Sequence, residues 1–265
     1  MSLELLQKIY KNRFDMSDYL IHFTRKNDDS TAFQNLKKII KSGKLKAGWS
    51  VRNTKRTIFG KYPAVCFTEM PLFSFLTYVQ NRNDIEKIDL YGIAISKDFM
   101  FKKGARNVIY GLTRGNNDET HSENGEWFTP HLPEEEQYRY MLTDFSDKND
   151  WTHEREWRWR NCFEFSKGDY FPIWKNDEII RVSDKNCGDA RFNQDKNIYI
   201  IVRNLLEADE LKEIFNSLNS DEFNPRNIEK TYVIVIESIK KPYKYDLLTF
   251  EYLIQNKICI PMYSS

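Results

Sequence analysis

Apolar positions along this chain recur with two periods, and each period predicts a kind of element. Leu3, Leu5, Leu6, Ile9 and Phe14 recur at helical spacing, which predicts a short amphipathic helix. Tyr19–Thr24 is rich in β-branched and aromatic residues and predicts a strand. Ser30 or Thr31 can cap a helix that places Phe33, Leu36, Ile39 and Ile40 on one face, and Gly43 supplies its stop. Ala64–Thr68 predicts the next strand, and Pro71 opens a helix over Pro71–Val79. Further strands are expected at Leu90–Ser96, Asn107–Gly111, Trp151–Arg160, Ile198–Val202 and Thr231–Ile236. Helices are expected over Glu134–Phe145, Glu207–Leu218 and Asp246–Gln255, and Asn116–Gly125, which lacks an apolar anchor, is expected to be a loop. Strands and helices mix without strict alternation. The expectation is therefore one α+β domain over residues 1–265, with a polar insert at about 112–150.

Composition narrows the chemistry. The chain has 10 glycines in 265 residues, and no two of them are separated by a single residue. The dinucleotide fingerprint G-x-G-x-x-G is thus absent. The nearest approach to a P-loop, Gly43–Gly48, runs into Trp49-Ser50 and lacks the phosphate-gripping lysine. The 4 cysteines, Cys66, Cys162, Cys187 and Cys259, form no C-x-x-C, and the 4 histidines form no H-E-x-x-H, so no metal is expected. Neither a signal-type apolar run nor a membrane-length one occurs. A cytoplasmic protein that does not engage a membrane is expected.

A net charge of +1 hides a local bias, because no acidic residue occurs between Ser30 and Thr68. That stretch carries Lys37, Lys38, Lys41, Lys44, Lys46, Arg52, Lys55, Arg56 and Lys61. It is either a solvated helix face and loop or a patch that attracts phosphates.

Three places carry candidate chemistry. As a strand, Trp151–Arg160 puts Glu154, Glu156, Arg158 and Arg160 on one face and Arg155, Trp157 and Trp159 on the other. The tryptophans would then pack on the core while the charged row lines a groove, its two carboxylates about 7 Å apart. Such a pair can be split in pKa by burial and by the flanking arginines; the plainer reading is a self-neutralising surface strand. His22 and Thr24 share one strand face and can hydrogen-bond a ribose hydroxyl, or His22 can be a satisfied core histidine. Glu69 is the first acid after the basic stretch and stands where a strand meets a helix.

Together these blocks resemble the AbiGi family of bacterial abortive-infection proteins. The likeness rests on His22-Phe-Thr24, on a helix ending Lys41-Ser-Gly43, and on Val65-Cys-Phe-Thr-Glu-Met-Pro71. It continues through Tyr91-Gly-Ile-Ala-Ile-Ser-Lys-Asp98 and Phe101–Tyr110. It ends on His153-Glu-Arg-Glu-Trp-Arg158, where His153 stands in place of the Asp of the D-E-R-E-W-R motif. The likeness covers about residues 19–160 and extends weakly to Ile198–Val202.

The resemblance leads on to the ADP-ribosyltransferase superfamily, including DarT-like nucleic-acid modifiers, and implies a split β-sheet clasping NAD as substrate. By position it implies His22 as the ribose contact, with Thr24 beside it, and Phe67 or Tyr91 as the ring on nicotinamide. It implies Glu156 as the catalytic glutamate, Glu154 as the preceding member of an E-x-E pair, and Arg158 next to them. The implied activity is transfer of ADP-ribose to a nucleic acid or protein in anti-phage defence. The middle strand lacks a clear S-T-S or a placed tyrosine, and AbiGi proteins are also described as antitoxins. Two other readings therefore stand beside the transferase: a silent binding module pairing with a toxin partner, and an NAD glycohydrolase. If the transferase reading is right, His22 and Glu156 face one cleft. Trp127 and Phe128, in the polar insert, would either stack on a base or anchor the loop.

Overall fold

Strands of the longest apolar runs form the middle of an eight-stranded mixed sheet. The computed structural model describes residues 15–52, 55–82, 89–111, 121–123, 126–128, 132–143, 152–161, 163–164, 170–176, 180–181, 192–218, 222–239, 250–255 and 259–262. In chain order the strands of the large sheet are β1 (Tyr19–Phe23), β2 (Ala64–Thr68), β3 (Gly92–Ser96) and β4 (Arg106–Asn107), then β5 (Glu156–Arg160), β6 (Ile198–Val202), β7 (Thr231–Val235) and β8 (Cys259–Pro261). Across the sheet they run β8-β7-β6-β3-β1-β2-β5-β4. All neighbours are antiparallel except β6 and β7.

Both faces are covered, so the inner strands are apolar on both sides rather than alternating. One face presents Leu20, Val65, Phe67, Ile93, Trp159 and Ile200 to helices α1 (Ala32–Ser42) and α4 (Leu205–Asn216) through Leu36, Ile40 and Leu211. The other presents Tyr19, Ile21, Ala94, Tyr199 and Ile234 to α2 (Leu72–Arg82) and α6 (Phe250–Gln255) through Phe75, Leu76 and Leu253. Each such aliphatic or aromatic side chain contributes about 1.5–3 kcal/mol on full burial. Two short helices, α3 (Lys97–Lys102) and α5 (Pro225–Glu229), follow β3 and precede β7.

Every residue of β1 pairs with β3, and every residue of β5 pairs with β2. Between β1 and β2, by contrast, the register is Ile21 to Thr68 alone. Beyond that pair a side chain replaces the ladder: His22 Nδ1 lies 2.9 Å from the Cys66 carbonyl oxygen. The sheet is thus held at its centre by one backbone pair and one imidazole.

Several sequence expectations change in detail. Thr31, not Ser30, caps α1, in a reciprocal box with Gln34. The strand expected over Trp151–Arg160 begins only at Glu156, after a 3-10 turn at Thr152–Glu154. Glu134–Phe145 is not a helix; Glu134–Arg139 is a 3-10 turn, and Tyr140–Leu142 leaves it to pair in parallel with Ile109–Gly111. That pairing also separates Ile109–Gly111 from β4, so Asn107–Gly111 is not one strand. Within the expected loop, His121–Glu123 pairs with Glu126–Phe128. The helix expected over Leu3–Phe14 lies outside the described residues.

Gly43 shows why one glycine is indispensable at this spot. It closes α1 with φ +69°, its N–H bonding to the carbonyls of Ile39 and Ile40. Its own carbonyl accepts from Ile173, Trp174 and Lys175. An added Cβ would stand 2.8 Å from both the Lys175 nitrogen and the Phe223 ring. Gly43→Ala is expected to cost about 1–3 kcal/mol, read as a lowered urea midpoint with an unchanged slope.

Candidate functional site

The site is built where β5 begins. Arg155, between the two glutamates, has φ +46°. A non-glycine residue in the left-handed region costs roughly 1–2 kcal/mol, so the contacts around it must hold it there. Its N–H donates to the Thr152 carbonyl, its carbonyl accepts from Glu69 N–H, and its guanidinium bonds to the Asp15 carbonyl. This bend replaces the straight strand that the alternation predicts, yet it buries both Glu154 and Glu156.

Glu156 is 8% exposed and Arg158 0%. Arg158 grips the carboxylate with two donors, Nε to Oε1 at 2.8 Å and Nη2 to Oε2 at 3.3 Å. Its Nη1 donates to the carbonyls of Tyr138 and Tyr140 at 2.7 and 3.0 Å. Burial acts to lower the Arg158 pKa, but the adjacent Glu156 charge and its hydrogen bond outweigh it and raise it. The Glu156 backbone N–H donates to the Tyr110 hydroxyl at 2.9 Å. Burial pushes the Tyr110 phenol up to about 12, and the charges of Glu156 and Glu154 add to this against the pull of that N–H. Burial likewise pushes the Cys66 thiol up, with Glu156 adding to it. Glu154 accepts from the Tyr78 hydroxyl at 3.5 Å, and the Tyr78 ring lies 5.1 Å from that of His153.

The charged row therefore does not line an open groove. Arg158 lies beneath the Tyr138–Tyr140 segment, and the Arg160 guanidinium is held over the rings of Tyr62 and Tyr138. On the opposite face Trp159 is wholly buried, as the alternation predicts, its Nε1–H donating to the Lys103 carbonyl at 2.9 Å.

His22 and Glu156 do not meet. Glu156 is registered with Thr68 and Thr68 with Ile21, so the three share a face. His22 lies on the other, its ring edge-on to Phe67 at 5.8 Å. Burial lowers the His22 pKa and the nearby Arg25 charge adds to this, against the Cys66 carbonyl, which raises it. Phe67 is itself core, packed against Phe171. Thr24 Oγ1 donates to the Ala32 carbonyl at 2.8 Å, and its N–H donates to the Tyr91 carbonyl at 2.9 Å. Tyr91 donates to Glu207 at 2.7 Å, beneath the Arg203 guanidinium. Thus the structure brings together Glu154, Glu156 and Arg158, and separately His22 with Phe67 and Thr24 with Tyr91. One dinucleotide cannot be gripped from one side by His22 and Glu156 in this arrangement.

Tyr78 and Tyr110 escaped the sequence reading as site residues. Tyr110 closes the Phe101–Tyr110 block, while nothing in the sequence marks Tyr78. Part of the basic stretch is neutralised from outside it, Lys37 by Glu210 and Lys61 by Glu134. The side chains of Arg52, Lys55, Arg56, Trp127 and Phe128 lie outside those described. Among the described residues no group of three His, Cys, Asp or Glu is arranged to hold a metal, and no helix is long and apolar enough to cross a membrane. No family model, curated protein or solved structure matches the chain.

Arg158→Met leaves Glu156 buried without its cation and is expected to cost about 3–5 kcal/mol. The double variant Glu156→Leu/Arg158→Met should recover much of that loss in the same denaturation assay, because no buried charge is stranded. For His22 the folded pKa lies below the ordinary value of 6.5. As pH falls through 6.5 the unfolded chain takes up a proton that the folded chain refuses, so stability drops. His22→Gln keeps a donor for the Cys66 carbonyl, and its unfolding midpoint should fall less than the wild type's between about pH 7.5 and about pH 5.5.

Proposed function

We propose that this chain is a catalytically silent, ADP-ribosyltransferase-like binding module that pairs with a partner protein, in the phage-defence setting that the AbiGi resemblance implies. One observation carries the reading: both oxygens of the Glu156 carboxylate accept from the wholly buried Arg158. A carboxylate accelerates cleavage of a nicotinamide–ribose bond only if it stabilises the oxocarbenium-like ribose more than the ground state. A carboxylate already neutralised by a fixed guanidinium has little of that differential left to offer. The narrow β1–β2 ladder, with His22 on β1 and Glu156 at the start of β5, supports the transferase-like likeness of the fold. Its polar groups are spent on holding the sheet.

The transferase itself is the second reading, favoured by one observation: Glu154 and Glu156 are both buried where β5 begins, so the E-x-E pair stays together. Incubation with adenylate-labelled NAD and cell fractions separates the two. The silent module predicts no labelled macromolecule from the wild type, and undiminished phage protection by a folded Glu156→Gln variant. Label transferred by the wild type and lost in that variant would establish the transferase instead. Free ADP-ribose without a labelled macromolecule would mark an NAD glycohydrolase.

A further inference from the structure

On the face of β5 away from Glu156, a cleft of about 270 Å³ opens at one end of the large sheet. Its walls are Asp18, Lys97, Asp98, Phe101, Trp157 and Lys196. These residues come from four separate passages of chain: just before β1, just after β3, within β5 and just before β6. The Trp157 indole is fixed. Its Nε1–H donates to Glu69 Oε2 at 2.8 Å, and Lys97 holds the other oxygen of that carboxylate at 2.9 Å. Glu69 is therefore a positioning residue, which accounts for an acid placed at the join of strand and helix.

The second ring is displayed. Phe101 is 50% exposed, with the Arg106 guanidinium, from β4, 4.1 Å from its centroid. Two of the four charges are already satisfied, Lys97 by Glu69 and Asp98 by Lys102. Lys196 and Asp18 are exposed, and neither side chain has an ion pair among the described residues. A fixed indole, a displayed phenyl ring, one ammonium and one carboxylate thus line one small space.

We propose that this cleft binds a purine nucleoside monophosphate. The base stacks against Trp157 and Phe101, since base–aromatic stacking grows with ring area and tolerates any π-face. Asp18 accepts from the amino donors of the base, and Lys196 takes the phosphate. The space, about 270 Å³, lies just under the usual range of ligand pockets, which suits a mononucleotide and not a dinucleotide. The proposal does not rest on the silence of Glu156, which lies on the opposite face.

Isothermal titration of the full chain with AMP, GMP, UMP and inorganic phosphate tests it. Saturable binding of AMP or GMP is expected, with UMP weaker by about tenfold or more and no saturation by phosphate alone. Phe101→Ala and Lys196→Glu change exposed side chains and should each weaken purine binding by about tenfold or more at an unchanged melting temperature. The proposal is overturned by no saturable purine binding up to about 10 mM, by equal binding of UMP or phosphate, or by full affinity in both variants. None of these outcomes bears on NAD label or phage protection, so the two proposals fail separately.

Discussion

A guanidinium with no access to solvent governs the region around β5. Arg158 has to be fully satisfied, because an unpaired buried charge costs several kcal/mol. Its donors reach Glu156 on its own strand and the carbonyls of Tyr138 and Tyr140 on a segment far along the chain. The requirement therefore fixes two things at once: the ion-pair partner of Glu156 and the position of the Tyr138–Tyr140 segment against β5. Burial in turn raises the pKa of both Cys66 and Tyr110, so neither is ready to act as a nucleophile or base near neutral pH.

The same logic of structural use applies to the first strand. An imidazole that donates to the Cys66 carbonyl substitutes for the ladder bond missing between β1 and β2. In a fold whose sheet opens at that point, a histidine can serve either as glue or as a ligand contact. Here its neighbours are Phe67 and the backbone of β2, and the lowered pKa keeps it neutral, which suits a buried hydrogen bond. Thr24, like His22, is used locally, its hydroxyl donating to the Ala32 carbonyl.

Much of the architecture was legible in the sequence. The strands at Ile198–Val202 and Thr231–Val235 announce themselves by unbroken β-branched and aromatic runs, those at Tyr19–Phe23 and Ala64–Thr68 by runs rich in such residues, and α1 by its cap, its stripe and Gly43. The alternation within Glu156–Arg160 correctly assigned Trp159 to the core. It misjudged the other face, because alternation says which residues share a side and not what lies over it. The Tyr138–Tyr140 segment turned an expected groove into a sealed one. The bend at Arg155 was equally hidden, since arginine has no local preference for positive φ and only the bonds to Thr152, Glu69 and Asp15 hold it there.

Local chemistry thus determined the inner strands, the capped helix and the pairing of acid and base within the E-R-E-W-R block. The absence of a glycine cradle was likewise decided by composition alone. What only the tertiary structure decided is direction: which face each residue takes once β1, β2 and β5 fall into register. A one-residue offset in register flips a side chain to the opposite face, and no spacing along one strand records the register of its neighbours. That offset separates His22 from Glu156, and it turns Trp157, with Glu69 behind it, toward the cleft beside Phe101.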